Sequence, residues 1–410
     1  MTQHTADPLT GQPDGRASER VAPFHLAVPE EQLADLRRRL AATRWPDRET
    51  VPGTSQGPQL AEVQALVRRW ATGYDWRPAE ALLNGLGQST TTIDGPDVHF
   101  LHVRSPLPGA LPLVMTHGWP GSVLEFRKVV GPLTDPVASG GSADDAFDLV
   151  IPSLPGFGFS GRPTTTGWDL CRTARAWITL MHRLGHARWG AQGGDLGAGI
   201  TEEMAAITTA GDAAATTPTG LVGIHLNTAM SSPTPEEVAQ ATAEEAVMLQ
   251  EAAYYWQELS GYAKVQSTRP QTIGYSLADF PAGLAAWLYA MFQDVGGSRG
   301  NAEAAFDVDE MIDDIMLYWL PNTGASAARM YWEMTRARWS PAARVEAPVA
   351  VPTGITVMPG EYVRTSRRWA ERRYSDLVHF DQLPAGGHLA ALEQPDALVE
   401  EVRTTFRGLR

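Results

Sequence analysis

Six apolar runs recur along the chain, and they constrain its fold more than any other feature. They are "LPLVMT", "FDLVIPSLPGFGFS", "ARWGAQGGD", "GLVGIHLN", "VAVPTGITVMPG" and "DLVHFDQLPAGGH". Continuous apolar runs of this kind are typical of strands that are buried on both faces of a parallel sheet. Helix-like stretches such as "CRTARAWITLMHRLG" and "AGITEEMAAITTAG" separate most of them. The alternation predicts an α/β fold with a mostly parallel sheet, whose functional loops lie at the carboxyl ends of the strands.

Two regions outside this alternation are predicted to be mainly helical. Near the N-terminus, "PEEQLADLRRRLAATRW" places Leu33, Leu36 and Leu40 on one helical stripe, and "AEVQALVRRWATGY" repeats the pattern. "TTTI", "DGPD" and "VHFLHV" then predict a β-hairpin. A long helical stretch with aromatic-rich faces separates "HLN" from "VAVP", and we interpret it as a lid over the active face. The predicted divisions are a disordered polar tail (1–20), an N-terminal arm (21–88), a first core part (89–230), the lid (231–345) and a second core part (346–410).

Charge and cysteine content exclude several classes of partner. The 410 residues carry a net charge of −14 without a dense Lys/Arg block, which argues against nucleic acid or an anionic membrane surface as a partner. Cys171 is the only cysteine, so no intrachain disulfide can form and a reducing compartment is expected. We see neither the apolar segment of a signal peptide, nor a run of the ~20 apolar residues that a spanning helix needs. We therefore expect a cytoplasmic protein without a zinc-type site, with a homodimer left open.

A carboxylate stands at a tight strand-to-helix corner in "QGGDLGAG". The segment from Gly193 to Gly197 has the small-x-nucleophile-x-small form of a nucleophile elbow, whose glycines allow a sharp, strained turn. Asp195 at its centre can attack an electrophilic carbon and form an ester. Taken alone, the pattern also fits an aspartate that caps a helix N-terminus. The residues downstream favour the nucleophile.

Two later residues complete a candidate triad. His388 follows a glycine pair after the last strand-like run, and the chain order nucleophile, acid, histidine is that of α/β-hydrolases. Glu361 comes just past "ITVMPG", where the acid is expected to hold the histidine tautomer and stabilise the imidazolium. Taken alone, His388 could also be an ordinary loop histidine, and Glu361 a solvated loop glutamate. Asp376 is a weaker rival for the acid.

The segment "HGWPGS" is interpreted as an oxyanion loop. It follows a strand, so that His117, Gly118 and Pro120 can turn the backbone N–H of Trp119 toward the elbow. The N–H of Leu196 would be the second donor. Such a pair of donors usually contributes several kcal/mol to transition-state stabilisation. Taken alone, either half of this segment could instead be a bulky turn with a purely structural role.

Taken together, these motifs resemble the epoxide hydrolases of the microsomal type, over about residues 21–408. The resemblance includes "DWRPAEALLNGLGQSTTTIDGPDVHFLHVRS", "HGWPGS", "PSLPGFGFS", "GGDLG", "GGHLAALEQP", "SGYAKVQSTRPQTIGYSLADFPAGLAAWL" and "MYWE". It implies an α/β-hydrolase core with a helical lid and an N-terminal arm. Carried over by position, it makes Asp195 the nucleophile, His388 the base and Glu361 its acid partner.

The resemblance also implies that two lid tyrosines bind the epoxide oxygen, Tyr262 in "SGYAKVQ" and Tyr331 in "RMYWE". A phenol can donate to that oxygen and supply a proton as the ring opens. The residues alone do not separate these two from the other lid tyrosines, Tyr254, Tyr255, Tyr275, Tyr289 and Tyr318. There are two departures from the family. A polar tail stands where the membrane-bound members have an anchor helix, and Leu196 stands where relatives often have a bulky aromatic residue.

The resemblance implies hydrolysis of an epoxide to a vicinal diol through an Asp-alkyl ester, with water as co-substrate and no cofactor. The aromatic-rich lid favours an apolar or aromatic epoxide. Such an enzyme could serve aromatic hydrocarbon catabolism or antibiotic biosynthesis of the enediyne type. A haloalkane dehalogenase would use the same aspartate, with Trp119 placed to bind halide, and a non-catalytic binding protein of the same fold is a further alternative. The absence of a serine at the elbow argues against a serine esterase.

Overall fold

The computed structural model describes residues 19–210, 220–229, 231–338 and 348–410. Over these residues, one sheet of nine strands runs in the order β1-β2-β3-β5-β4-β6-β7-β8-β9. The strands are β1 Ala22–Pro23, β2 Gln88–Thr92, β3 Asp97–Val103, β4 Leu111–Thr116, β5 Phe147–Pro152, β6 Trp189–Gly193, β7 Leu221–Leu226, β8 Thr353–Val357 and β9 Leu377–Gln382.

The helices follow the predicted alternation in the core and fill the predicted lid. They are α1 Glu30–Ala41, α2 Leu60–Thr72, α3 Arg77–Gly85, α4 Val130–Thr134, α5 Leu170–Arg183, α6 Leu196–Ala210, α7 Pro235–Ala239, α8 Ala243–Tyr254, α9 Gly261–Thr268, α10 Pro270–Asp279, α11 Pro281–Val295, α12 Ala302–Ala305, α13 Val308–Trp319, α14 Gly324–Arg338, α15 Arg367–Arg373, α16 Ala390–Glu393 and α17 Pro395–Phe406. Short 3-10 turns span Val123–Phe126, Val137–Ser139 and Ala143–Asp145, and a π-helical turn spans Tyr255–Leu259.

All six apolar runs form strands, and these pair in parallel from β5 through β4, β6, β7 and β8 to β9. The predicted hairpin is β2 and β3, which pair antiparallel and extend the sheet through β5. The central strands β4 to β8 are almost wholly buried, as a parallel sheet between layers requires. β9 is only partly buried, because it is the edge strand. The mixed but mostly parallel sheet is that of an α/β-hydrolase fold.

The N-terminal arm packs its predicted apolar stripes against the lid. Leu33, Leu36 and Leu40 of α1 are each 3% exposed, so the stripe is buried as the spacing predicts. α1 and α2 both contact α11, and α2 also contacts α13. The indole N–H of Trp70 donates to Met316 Sδ at 3.3 Å, across this interface. The arm and the lid are thus packed directly against each other.

The lid lies between β7 and β8, and its described part is helical from α7 to α14. The predicted aromatic face around residue 255 is not wholly buried, since Tyr254 is 51% and Trp256 62% exposed. The π-helical turn begins there and changes the side-chain spacing. Most of the predicted polar tail, and the predicted C-terminal end of the lid from 339 to 345, lie outside the described residues. In the described part of the chain, no helix has the length and apolar character needed to cross a membrane.

Candidate active site

Asp195 occupies a strained corner between the end of β6 and the start of α6. Its φ of +50° lies in the left-handed region, which is uncommon for residues other than glycine. The corner is also tight, since a Cβ at Gly197 would lie 1.9 Å from the carbonyl oxygen of Thr116. α6 therefore begins in direct contact with the end of β4, and Asp195 faces the loop that follows β4. This is the geometry of a nucleophile elbow.

The loop after β4 brings a backbone N–H to the Asp195 carboxylate. The N–H of Trp119 donates to Asp195 Oδ1 at 2.9 Å, and the N–H of Leu196 acts on the same carboxylate. A Cβ at Gly118 would lie 2.4 Å from Asp195 Oδ1, so only glycine allows this approach. The bond from Trp119 to Pro120 is cis. Two N–H donors converging on one oxygen position are what an oxyanion hole requires.

His117 and Tyr318 brace this loop. His117 Nε2 accepts the backbone N–H of Leu154 at 3.2 Å, so its Nδ1–H donates to the Gly118 carbonyl oxygen at 2.9 Å. Burial lowers the pKa of His117 to about 4, which keeps the ring neutral in this tautomer. The Tyr318 hydroxyl donates to the carbonyl oxygen of Gly121 at 2.7 Å. In the sequence, Tyr318 is one of several lid tyrosines, and no local pattern marks this contact.

His388 lies between the two carboxylates predicted for it. Its Nδ1 is 2.6 Å from Glu361 Oε2, and its Nε2 is 3.5 Å from Asp195 Oδ2. The other Glu361 oxygen, Oε1, accepts the backbone N–H of Tyr362 at 3.0 Å, which orients the carboxylate. The rival Asp376 stands just before β9, where its carbonyl oxygen accepts the Thr353 N–H. The structure thus brings Asp195, His388 and Glu361 together.

The pKa values of Asp195 and His388 depend on each other. Burial raises the pKa of Asp195, but the hydrogen bond and charge of His388 and the N–H groups of Trp119 and Leu196 outweigh it, so the pKa is lowered. Burial lowers the pKa of His388, but the charge of Glu361 and the bonds to both carboxylates raise it well above 6.5. The resting site therefore holds an aspartate beside an imidazolium.

The two predicted lid tyrosines lie against the oxyanion loop. The Trp119 indole stacks on Tyr262, with ring centroids 4.7 Å apart and an 18° interplanar angle. Tyr331 meets Trp119 edge-on at 6.0 Å and Tyr262 at 5.9 Å. Burial is the main cause that raises the pKa of both phenols well above 10, and the charge of Asp195 adds to it. Both hydroxyls are therefore protonated donors at neutral pH.

An ion-pair network ties the lid to the loop that carries Glu361. Arg299, between α11 and α12, pairs with Glu251 of α8 at 2.6 Å and donates to the Gly360 carbonyl oxygen at 3.3 Å. Arg364 also pairs with Glu251. These partners are far apart in the chain, and charged residues in loops are usually solvated, so the sequence carries no signal for the network. It fixes the position of Glu361 relative to the lid.

No cluster of His, Cys, Asp or Glu that could hold a metal occurs among the residues that the structure describes. The site's groups are a nucleophilic carboxylate, an imidazole–carboxylate pair, two backbone donors and two phenols. Together they can attack an electrophilic carbon, stabilise an oxyanion and protonate a leaving oxygen.

Comparison with known proteins agrees with this architecture. The model of the family "Epoxide hydrolase N terminus" matches residues 21–126, which cover the arm and the oxyanion loop. The model "alpha/beta hydrolase fold" matches residues 112–239.

Three similar proteins match nearly the whole chain. A Stigmatella aurantiaca protein, whose own assignment as an epoxide hydrolase is provisional, is 48% identical over 95% of this chain and 86% of its own length. Epoxide hydrolase 1 of Sus scrofa is 31% identical over 97% of this chain and 91% of its own. The crystal structure of juvenile hormone epoxide hydrolase from Bombyx mori superposes with a TM-score of 0.85 at 27% identity, covering 96% of each chain.

Proposed function

The chain belongs to the epoxide hydrolases of the microsomal type and is an epoxide hydrolase, and from this premise we propose that Asp195 opens the epoxide as a nucleophile. The observation that carries the proposal is the contact of the Asp195 carboxylate with both the Trp119 N–H and the His388 ring. The carboxylate is ionised because its pKa is lowered, so it needs no base before it attacks. Its side chain is 23% exposed, so it is accessible to a substrate.

In the first step, one Asp195 oxygen bonds to a ring carbon and the carbon–oxygen bond of the epoxide breaks. Negative charge then develops on the departing oxygen. Tyr262 and Tyr331 are the donors that we assign to this oxygen, because both phenols are protonated and both pack against the oxyanion loop. A buried donor is most effective when charge develops only in the transition state. The product of this step is a hydroxyalkyl ester of Asp195.

In the second step, His388 activates a water molecule that attacks the carbonyl carbon of this ester. Alkylation removes the negative charge of Asp195, which is one of the causes that raise the pKa of His388. The pKa of His388 therefore falls, so the imidazolium gives up its proton and the ring becomes the neutral base that this stage requires. Glu361 holds the ring through Nδ1 at 2.6 Å and stabilises the imidazolium. The N–H groups of Trp119 and Leu196 bind the tetrahedral oxyanion, and its collapse releases the diol.

An aspartate nucleophile suits this substrate better than a serine would. A serine that attacked an epoxide would be left as an ether, which hydrolysis does not easily break. A carboxylate forms an ester, and the same oxyanion loop and histidine can cleave it. The triad, the N–H donors and the tyrosines are thereby all used in one reaction sequence.

The dehalogenase alternative is less well supported. Its halide would be bound by N–H donors such as the indole of Trp119, whereas here two phenols, Tyr262 and Tyr331, pack against this ring. The paired phenols match a leaving oxygen, which takes up a proton, and a halide does not. The reactive groups are all present, which argues against a non-catalytic binding protein. Release of halide from a haloalkane panel at a rate that rivals diol formation would favour the dehalogenase.

The substrate that we propose is a small apolar or aromatic epoxide, because Trp119, Tyr262 and Tyr331 form an aromatic wall next to Asp195. A role in aromatic hydrocarbon catabolism or in antibiotic biosynthesis of the enediyne type, a cytoplasmic setting and a homodimer remain proposals. A screen of racemic styrene-type, aliphatic and polycyclic epoxides for diol formation tests the substrate class.

The covalent step is tested by replacing His388 with glutamine. This variant should still be alkylated but should hydrolyse the ester slowly, because its water lacks a base. After mixing with a styrene-type epoxide, intact-protein mass spectrometry should show a gain of one epoxide mass, and peptide mapping should place it on Asp195. His25→Gln, at an exposed histidine of the arm, is the matched control and should turn over without accumulating adduct. Normal turnover by His388→Gln would contradict the assigned base.

A further inference from the structure

Tyr255 is a lid residue whose contacts the proposed reaction does not use. Its hydroxyl lies 2.7 Å from the hydroxyl of Tyr262. It is the first residue of the π-helical turn Tyr255–Leu259, which follows α8. Such turns are rare and are frequently found at functional sites. The hydrogen bond gives this one a direct connection to a phenol of the site.

The loop that carries Glu361 holds Tyr255 in place. The Tyr255 ring stacks on Tyr362, with centroids 5.9 Å apart and a 23° interplanar angle. The Arg299 guanidinium lies 4.3 Å from the centroid of the same Tyr362 ring. The backbone N–H of Tyr362 donates to Glu361. The position of the Tyr255 hydroxyl is therefore set by the same residues that set the catalytic acid.

Three phenols connect the site with the partly exposed side of the lid, namely those of Tyr331, Tyr262 and Tyr255. Tyr262 interacts with the hydroxyls of both Tyr331 and Tyr255. Tyr331 is buried, at 8% exposed, whereas Tyr262 and Tyr255 are only partly buried. A proton that enters at the π-helical turn thus has hydroxyl groups on which to move inward.

The ring-opening step creates a need for such a path. When Asp195 bonds to carbon, the electron pair of the broken bond goes to the former epoxide oxygen, which takes a proton from Tyr262. A buried phenolate remains, and burial makes it costly, as the raised pKa of Tyr262 reflects. A proton from Tyr255 restores the phenol, and bulk water restores Tyr255. His388 later returns one proton to water, so protons balance over the cycle.

We propose that Tyr255 is a positioning residue of the proton supply: its hydroxyl donates to Tyr262, orients the Tyr262 hydroxyl toward the epoxide oxygen and re-protonates it from the lid surface. The proposal rests on the proposed function, because it deepens the role of Tyr262 in ring opening. It gives Tyr255 a role, beside Tyr262 and Tyr331, in the alkylation step alone.

A pure packing role predicts a different behaviour. The stack on Tyr362 needs only the ring, so phenylalanine would serve equally well. A hydroxyl that is paired at 2.7 Å acts through its partner, so its removal matters only while Tyr262 keeps its own hydroxyl. The two roles are therefore separable by a double-mutant cycle.

The test measures the rate of adduct formation on Asp195 in the His388→Gln parent, by rapid mixing with a styrene-type epoxide and mass spectrometry. Tyr255→Phe should slow this rate about tenfold, the size expected for loss of one buried hydrogen bond. Tyr254→Phe, the exposed neighbour, is the matched control and should leave the rate unchanged. When Tyr262→Phe is also present, Tyr255→Phe should have no further effect.

A second measurement follows protons directly. The alkylation rate of the parent in mixtures of H₂O and D₂O should depend on the deuterium fraction along a curve, since more than one proton is in flight, and Tyr255→Phe should make the dependence linear. Equal slowing with and without the Tyr262 hydroxyl, no slowing at all, or a linear dependence in the parent would overturn the relay. Absence of any adduct in the parent would instead overturn the nucleophile assignment and, with it, this role.

Discussion

The site depends on one glycine as much as on its reactive side chains. Gly118 has no Cβ, and this lets the Trp119 N–H reach the Asp195 carboxylate at 2.9 Å. A Cβ there would lie 2.4 Å from both Oδ1 and Cβ of Asp195. Cβ atoms in real proteins essentially never make non-bonded contacts under 3.0 Å, so the loop or the aspartate would have to move. The Trp119 N–H and the Asp195 carboxylate, to which we assign the roles of oxyanion donor and nucleophile, thus both depend on the absence of a side chain at Gly118.

Gly118→Ala should therefore lose most activity without loss of fold. Displacing one oxyanion donor typically costs ~10²–10³ in rate, and we expect a fall of this size in kcat for diol formation. Gly131→Ala is the matched control, because a Cβ at this exposed helical position meets nothing within 4 Å. A Gly118→Ala enzyme with kcat near that of the control would show that the close approach is not needed for catalysis.

At the scale of elements, α13 supports the oxyanion loop through buried acids. Glu125 in the turn Val123–Phe126 and Asp314 on α13 are 8% and 3% exposed. Burial raises the pKa of both, and the charge of Asp314 raises that of Glu125 further. Burial, the largest cause, raises the pKa of Asp314 to about 7. Asp313 beside it pairs with Arg127 at 2.6 Å. The junction of α13 and the loop is therefore sensitive to pH.

The sign of this pH dependence follows from the raised pKa. Between about pH 4 and pH 7, Asp314 stays protonated in the folded protein while it ionises in the unfolded chain, so the free energy of unfolding falls as the pH rises. Asn has no carboxyl group to ionise, so Asp314→Asn should remove this fall in the free energy of unfolding. Relative to wild type, the variant should gain stability across this range by up to ~4 kcal/mol, at 1.36 kcal/mol per pKa unit. Denaturant unfolding at several pH values measures the gain.

Asp309→Asn is the control for this prediction. It lies on the same helix, and its side chain is 40% exposed. Asp309 pairs with Arg69 at the surface, and loss of an exposed ion pair should change the free energy of unfolding by about 1 kcal/mol or less. Parallel pH profiles for Asp314→Asn and wild type between pH 4 and pH 8 would contradict a buried, protonated Asp314.

The strands were the most predictable elements, because burial on both faces leaves an apolar run that survives in the sequence. "LPLVMT" is β4, and "FDLVIP", at the start of the second run, is β5. The lid was less predictable in detail. A stripe around Tyr255 and Trp256 looks apolar at helical spacing, but a π-helical turn exposes Trp256. A local sequence pattern cannot indicate where the backbone hydrogen bonds change from α-helical to π-helical spacing.

The residues of the candidate site also differ in how far the sequence predicts them. Asp195 and the oxyanion loop have local signatures, since a tight turn and a close approach both require glycines. Glu361 has little local signal, and Tyr262 and Tyr331 were identified through resemblance alone. Their positions depend on contacts between segments far apart in the chain, such as the stack of Tyr262 on Trp119. Tyr255 had no signal beyond its presence in the lid.

At the scale of the whole molecule, the core and the lid contribute side chains to one site, and the arm packs against the lid. The core supplies Asp195 and His388, and the lid supplies Tyr262 and Tyr331. The arm packs against α11 and α13 of the lid rather than against the reacting groups. Arg299 and Glu251 join the lid to the Glu361 loop. The predicted division of the chain into tail, arm, core and lid stays a prediction, but the site needs parts from both core and lid.

The central claim is that Asp195 forms a covalent ester with the substrate. It is tested most directly by one turnover in ¹⁸O-water, with enzyme in excess over a styrene-type epoxide. Water attacks the ester carbonyl in our account, so the label enters the Asp195 carboxylate and the first diol released contains none. Mass spectrometry of the diol and of the peptide that contains Asp195 measures both products. Label in the diol after that single turnover would mean that water attacks the epoxide directly, which would contradict the account.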